Sequence, residues 1–169
     1  MKLSNAIIVV CGEPVSTFPE IIFKTLKLKT IKRLKLNLIF IGSENILKKH
    51  QKKLFINYRI NKIDKDKINQ SIFKKNCINL IEVPISKNFK LNNLSDKSTK
   101  FIDKSFEIAL NLIKTKKIKY LINGPISKET FLKGKYNGIT EYLASKTKSK
   151  RGQLKSRKCG TGCSEKQYS

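Results

Sequence analysis

The 169-residue chain has no tryptophan, one methionine, one histidine, four prolines and four cysteines, and only 12 acidic residues against 37 basic ones. Each shortage excludes something. Four cysteines, two of them in an atypical tail, are too few for a secreted disulfide scaffold, so a reduced, cytoplasmic setting is expected. No apolar run approaches the roughly 18–20 residues of a membrane span, and no membrane association is expected. The first apolar run, Ala6 to Cys11, has six residues. That is shorter than the roughly 7–15 of a signal-peptide core, and no small-residue cleavage site follows. No Gly-x-Gly-x-x-Gly or phosphate-loop signature is present. With His50 as the sole histidine, no Ser/His/Asp set can be assembled. His50 lies in Lys-Lys-His-Gln-Lys-Lys, which reads as a solvated face and a poor metal ligand. Cys159 and Cys163 are separated by three residues, not the two of common zinc or redox pairs, and have no partner cluster.

What is abundant is lysine. The net charge is +25, with 33 Lys to 4 Arg, and Ile (23) and Asn (14) are also inflated. These three residues share A/T-rich codons, so one coding bias accounts for all of them. A dedicated nucleic-acid surface more often shows clustered Arg with interleaved aromatics. Two readings of the charge stay open, a compositional bias and a true polyanion site. On either, the chain is expected to attract phosphorylated substrates and to bind RNA only loosely and salt-dependently.

Continuous apolar runs rich in β-branched residues, Ala6–Cys11, Leu36–Ile41 and Cys77–Val83, read as strands buried on both faces. A shorter strand ends at Tyr120–Ile122. Helices are expected from Pro19-Glu20 to about residue 28, over 44–54 with Ser43 as cap, over about 97–115 with Ser95 or Asp96 as cap, and in short pieces at 127–133 and 140–146. In the 97–115 helix, Ile102, Phe106, Ala109, Leu110 and Ile113 form one apolar stripe. Residues 61–75 read as a polar surface excursion. The alternation predicts an α/β fold with a mostly parallel sheet flanked by helices.

Residues 1–150 are expected to form this α/β unit. The 151–169 tail contains no Ile and no Asn, which points to a disordered appendage or, preferably, a shifted reading frame.

Three turns stand out. Gly12-Glu13-Pro14 follows the first strand, where loops at the carboxyl ends of a parallel sheet line the ligand crevice. Asn123-Gly124-Pro125-Ile126-Ser127-Lys128 follows a later strand; Ser127 can cap the next helix and Lys128 can reach an anion there. In Asn137-Gly138-Ile139-Thr140-Glu141-Tyr142, Thr140 can cap a helix or bind phosphate. Taken alone, the first reads as an ordinary strand-to-helix turn, and the other two fit plain capped turns as well as ligand sites.

Together, in this order and spacing, the three turns resemble the 4-hydroxythreonine-4-phosphate dehydrogenase family. Gly12-Glu13-Pro14 with Pro19-Glu20 matches that family's opening Gly-(Asp/Glu)-Pro and Pro-Glu, with Ser16-Thr17-Phe18 in place of Gly-Ile-Gly. Asn123-Gly124-Pro125 and Lys128 match its Thr-(Gly/Ala)-Pro-x-x-Lys, with Asn for Thr, and Gly138-Ile139-Thr140-Glu141-Tyr142 matches its Gly-His-Thr-Glu-(Phe/Tyr). The resemblance implies the first part of a two-domain fold of the isocitrate/isopropylmalate dehydrogenase kind. It implies NAD- and metal-dependent oxidation and decarboxylation of 4-phosphohydroxy-L-threonine in pyridoxal-phosphate biosynthesis, by a homodimer. It places substrate at Thr140, with Gly12, Glu13, Pro14, Asn123, Gly124 and Lys128 around the cleft. It implies that the metal-binding histidines and most NAD contacts lie beyond residue 150, so the chain alone is expected to be inactive. The alternatives are a sugar-acid phosphate dehydrogenase of the same family and a non-enzymatic basic domain that binds nucleic acid.

Overall fold

The computed structural model describes residues 3–34, 36–71, 73–86, 89, 96–116 and 118–147. The 151–169 tail, its cysteine pair and the expected cap Ser95 lie outside the described residues.

Five strands, β1 (Ala6–Val10), β2 (Asn37–Gly42), β3 (Arg59–Lys62), β4 (Cys77–Glu82) and β5 (Tyr120–Asn123), form one sheet in the order β3-β4-β2-β1-β5. Every pairing is parallel. Parallel neighbours need a crossover; helices α1 (Phe18–Lys27) and α2 (Lys29–Arg33) lie between β1 and β2, α3 (Glu44–Lys53) between β2 and β3, and α4 (Asp96–Lys116) between β4 and β5, while the described residues between β3 and β4 form no helix. A π-helical turn, Lys128–Leu132, and α5 (Ile139–Thr147) follow β5.

The central runs Ala6–Val10 of β1 and Leu38–Ile41 of β2 are apolar without interruption because both faces are covered, and the period of two sorts their side chains. Ala6, Ile8 and Val10 of β1, Ile39 and Ile41 of β2, and Ile81 of β4 pack with Phe101, Phe106, Ala109 and Leu112 of α4. Val9, Phe40, Ile78 and Leu80 point the other way, onto Ile22 and Phe23 of α1 and Leu47 of α3. In α1 the buried residues are Pro19, Ile22 and Phe23, with Pro in the first turn as expected. In α4 the buried stripe runs through Phe101, Ile102, Ser105, Phe106, Ala109 and Leu112; Leu110 and Ile113 sit at its margin.

Two local expectations need correction. Residues 61–75 are not a surface excursion throughout. They begin at the end of β3, and Ile63 and Ile68 enter the core. The signal is weak because Asn61 and Asn79, polar residues within strands, pair with one another. Asn61 Nδ2 donates to Asn79 Oδ1 (2.8 Å), and Asn79 also bonds the backbone of Lys74 in both directions. Ser43 occupies the position before α3 but makes no side-chain cap bond. Glu82, from the end of β4, accepts from the Glu44 N–H instead (3.0 Å).

Candidate functional site

The strand order sets the crevice. β1 lies between β2 and β5, so the turns leaving β1 and β5 are side by side at the carboxyl end of the sheet. In such sheets the ligand crevice forms outside the strand ends.

The two turns are packed backbone to backbone. The Gly124 N–H donates to the Val10 carbonyl (2.8 Å), and the Glu13 N–H donates to the Pro125 carbonyl (2.9 Å). Gly12 has φ +71°, and a Cβ there would stand 2.5 Å from the Pro125 oxygen. A Cβ on Gly124 would stand 2.6 Å from both the Cys11 oxygen and a ring carbon of Phe18. Both positions therefore require glycine, Gly12 for φ and approach together, Gly124 for approach alone.

This contact carries Glu13 inward. The residue is only 6% exposed, and its Oε1 accepts a short hydrogen bond from the Ser98 hydroxyl in the first turn of α4. Its Oε2 has no hydrogen-bond partner among the described residues. The Glu13 carbonyl accepts from the Ser16 N–H (3.0 Å) and hydroxyl (2.7 Å), which closes the turn. A narrow pocket beside it is lined by Cys11, Gly12, Glu13 and Pro14 with Ser43 and Phe101. Burial pushes the Cys11 thiol up to about 12, so at neutral pH it is a small apolar wall, not a nucleophile.

His50 also departs from the sequence reading. It is not on a solvated face; it is 8% exposed and packs under the same turn, within hydrogen-bond reach of the Pro14 carbonyl. Burial holds its imidazole below the ordinary 6.5, with Lys53 adding to the shift and the Pro14 carbonyl and Glu20 opposing it. Four lysines surround it in sequence, but α3 turns 100° per residue, so His50 shares a face with Ile46 and Leu47.

After β5, the Ser127 Oγ accepts from the Thr130 N–H (3.2 Å), the cap expected from sequence. It opens a π-helical turn that starts with the exposed Lys128. Asn123 turns back on its own turn, Nδ2 donating to the Gly124 carbonyl (3.2 Å).

Thr140 is placed differently from the expectation of a cap. It lies within α5, and the helix begins one residue earlier; the Tyr142 N–H bonds the Gly138 carbonyl. Its side chain is exposed. Glu141 folds back instead, accepting from the Asn137 N–H (2.9 Å) and Nδ2 (3.1 Å). Tyr142 anchors the segment: its hydroxyl donates to Asp103 Oδ1 of α4 (2.5 Å), and its ring packs edge-on against Phe106, Phe131 and Tyr136. Burial and the Asp103 carboxylate push the Tyr142 phenol up. Burial alone would raise Asp103, but hydrogen bonds from Lys146 and Tyr142 outweigh it and leave that carboxyl low.

Of the residues singled out by sequence, Gly12, Glu13, Pro14 and Gly124 are therefore brought together, with Asn123 beside them. Lys128 and Thr140 stand exposed on the segments that follow β5. Ser98 escapes sequence reading, and His50 is misplaced by it onto a solvated face. Ser98 sits in a polar helix start, and no local pattern separates it from Ser95 or Thr99.

Residues 34–155 match the family described as pyridoxal phosphate biosynthetic protein PdxA. Among curated proteins, none matches the sequence. Solved structures with similar folds include a 4-hydroxythreonine-4-phosphate dehydrogenase from Burkholderia phymatum, with 22% identity and a TM-score of 0.73 over 85% of this chain and 44% of that one. Another is 4-hydroxythreonine-4-phosphate dehydrogenase from Klebsiella pneumoniae, with 23% identity and a TM-score of 0.72 over 86% of this chain and 45% of that one. The chain thus spans less than half the length of the solved proteins it resembles.

Proposed function

This chain belongs to the pyridoxal phosphate biosynthetic protein PdxA family, and from that premise we propose that it forms the amino-terminal part of an NAD-dependent 4-hydroxythreonine-4-phosphate dehydrogenase. The observation that carries the reading is the docking of Gly12-Glu13-Pro14 against Gly124-Pro125 at the crevice end of adjacent strands. Two of the three turns behind the resemblance are one structural unit, and the third follows on α5.

The chain's own part is binding and orientation. Lys128 offers a cation and Thr140 an exposed hydroxyl to the phosphate of the substrate. Glu13, tied to Ser98, fixes the Gly12 turn relative to α4, which forms one wall of the pocket through Phe101. The hydride acceptor for the secondary alcohol would be supplied by NAD, held mostly by residues beyond 150. The family reaction also implies a divalent metal, and the described residues do not fit one. No three His, Cys, Asp or Glu side chains converge among them, and His50 is buried beneath Pro14. Residues outside this chain's described part would have to hold it, in a homodimer of the longer enzyme.

The test has two arms. Titration of the purified chain with 4-phosphohydroxy-L-threonine should give saturable binding that Thr140→Val weakens roughly 10- to 150-fold, the worth of a hydrogen bond to a charged group. Supplied with NAD and a divalent metal, the chain alone should form no NADH; adding the carboxyl-terminal half of a relative should restore it. Binding untouched by Thr140→Val would remove Thr140 from the site. Preference for a phosphorylated sugar acid, or no saturable binding of either compound, would overturn the proposal.

A further inference from the structure

The parallel sheet sorts the chain's charges by end. Loops and helix starts at the carboxyl end of the strands hold Glu13, Glu20, Glu44, Asp64 and Glu82. The segments that lead into the strands at the opposite end contain none: residues 21–37, 45–59, 67–77 and 108–120 lack Asp and Glu altogether. A coding bias explains the number of lysines but not this segregation. Cations near helix carboxyl ends complement the helix dipoles, and that accounts for part of it. It does not account for the apolar side chains among them.

Those side chains are large and uncovered. Leu28 is 56% exposed, Leu34 47% and Leu36 41%. Leu28 and Leu34 bracket α2, a five-residue helix with no buried residue, which presents Lys29, Lys32 and Arg33 outward. Phe55 is 99% exposed. It follows α3, beside exposed Lys52 and Lys53, at φ +52°. The Ile56 N–H bonds the Gln51 carbonyl (3.0 Å) and the Phe55 N–H the Lys52 carbonyl (3.4 Å), a helix ending whose left-handed position normally holds glycine. Phenylalanine there is strained and gains nothing from the fold. The two groups share one end of the molecule: α1 and α3 each start at the carboxyl end of a parallel strand and run back towards the amino end of the next, so Leu28 and Phe55 follow them at that end.

Against the sequence expectation of no membrane association, we propose that this face, opposite the crevice, binds the surface of an anionic lipid bilayer. Lysines would meet the anionic headgroups while Phe55 and the leucines enter the boundary with the acyl chains. Among the described residues no helix is long and apolar enough to cross a membrane, so the contact is peripheral. Three leucines to one aromatic ring, and four lysines (Lys29, Lys32, Lys52 and Lys53) to one arginine, favour lipid over nucleic acid, where bases stack on aromatic or arginine planes. Bound this way, the chain would present its crevice away from the membrane.

Flotation of the full chain with vesicles is the test. Vesicles of phosphatidylcholine with phosphatidylglycerol should carry the protein, and pure phosphatidylcholine vesicles should not. Lys29→Gln with Lys32→Gln should weaken partition by roughly fivefold per cation. Phe55→Gly should weaken it about tenfold or more while leaving the urea midpoint unchanged or higher, because glycine relieves the left-handed position. Leu28→Gln gives a second apolar readout that does not touch the helix ending. Partition of Phe55→Gly and Leu28→Gln equal to that of the parent would reduce the effect to bulk charge and overturn the proposal. So would capture by single-stranded RNA without binding to the anionic vesicles.

Discussion

Replacing Gly12 by alanine probes the contact on which the crevice depends, and three other glycines calibrate it. Gly12 combines φ +71° with a would-be Cβ 2.5 Å from the Pro125 oxygen. Gly134 has nearly the same backbone, φ +68°, but nothing within 4 Å of its would-be Cβ. Gly138 has neither a positive φ nor a neighbour within 4 Å, and Gly124 has the clash without the positive φ. Gly134→Ala should therefore cost only the left-handed penalty, about 1 kcal/mol. Gly138→Ala should stay within about 0.5 kcal/mol. Gly12→Ala adds a clash with a backbone oxygen that no rotamer relieves, and separating the turns lengthens the Glu13-to-Pro125 hydrogen bond, worth about 0.5–1.5 kcal/mol. The total should be about 2–4 kcal/mol, or roughly 5–15 °C in melting temperature for a chain of this size. Gly124→Ala should fall near Gly12→Ala, since the Cys11 carbonyl cannot move without disturbing the end of β1. Urea titrations of the four variants measure this directly. If Gly12→Ala costs no more than Gly134→Ala, the two turns are not held in the close contact described, and the crevice argument fails with it.

Ser98→Ala should destabilise by about 1–3 kcal/mol, because both oxygens of the buried Glu13 then lack a protein donor; a loss below about 0.5 kcal/mol in urea would show that the bond is dispensable. His50 is neutral and buried when folded, with its pKa below the ordinary 6.5. The unfolded chain therefore takes up its proton first, and His50's contribution to stability is complete above pH 6.5 and lost as pH falls through the lower folded value. Urea midpoints measured from pH 8 to pH 5 should drop in the parent and flatten in His50→Gln; equal slopes would refute the assignment. Tyr142→Phe removes the 2.5 Å bond to Asp103 but keeps the aromatic packing, so a loss of about 1–2 kcal/mol is expected. Because Thr140 is exposed and does not cap α5, Thr140→Val should shift the melting midpoint by less than the equivalent of about 0.5 kcal/mol; a larger loss would reinstate the structural reading of that hydroxyl.

Sequence by itself determined the fold class and most of its elements. Uninterrupted β-branched runs fit strands covered on both faces, and their alternation with helical stretches points to a parallel sheet with helices on either side. It also singled out the turns, since Gly-Glu-Pro and Gly-Pro are legible as local conformations. What it could not determine was which turns touch. Gly12 and Gly124 lie 112 positions apart in the numbering, and their contact exists because the sheet order sets β5 against β1, a choice made by side-chain packing across the whole sheet. The same non-locality hid β3, whose Asn61 is satisfied by Asn79 from the neighbouring strand. It hid His50, whose neighbours Lys48, Lys52 and Lys53 face solvent while its own side of α3 faces the Pro14 turn. And it reversed two caps. Ser43 looks like a cap because of its position, yet Glu82 arrives from β4 to take the Glu44 N–H, and Thr140 yields to a helix that starts one residue sooner. Local propensity is encoded in neighbours along the chain; partners, burial and hydrogen-bond satisfaction depend on residues that only the packed sheet brings within reach.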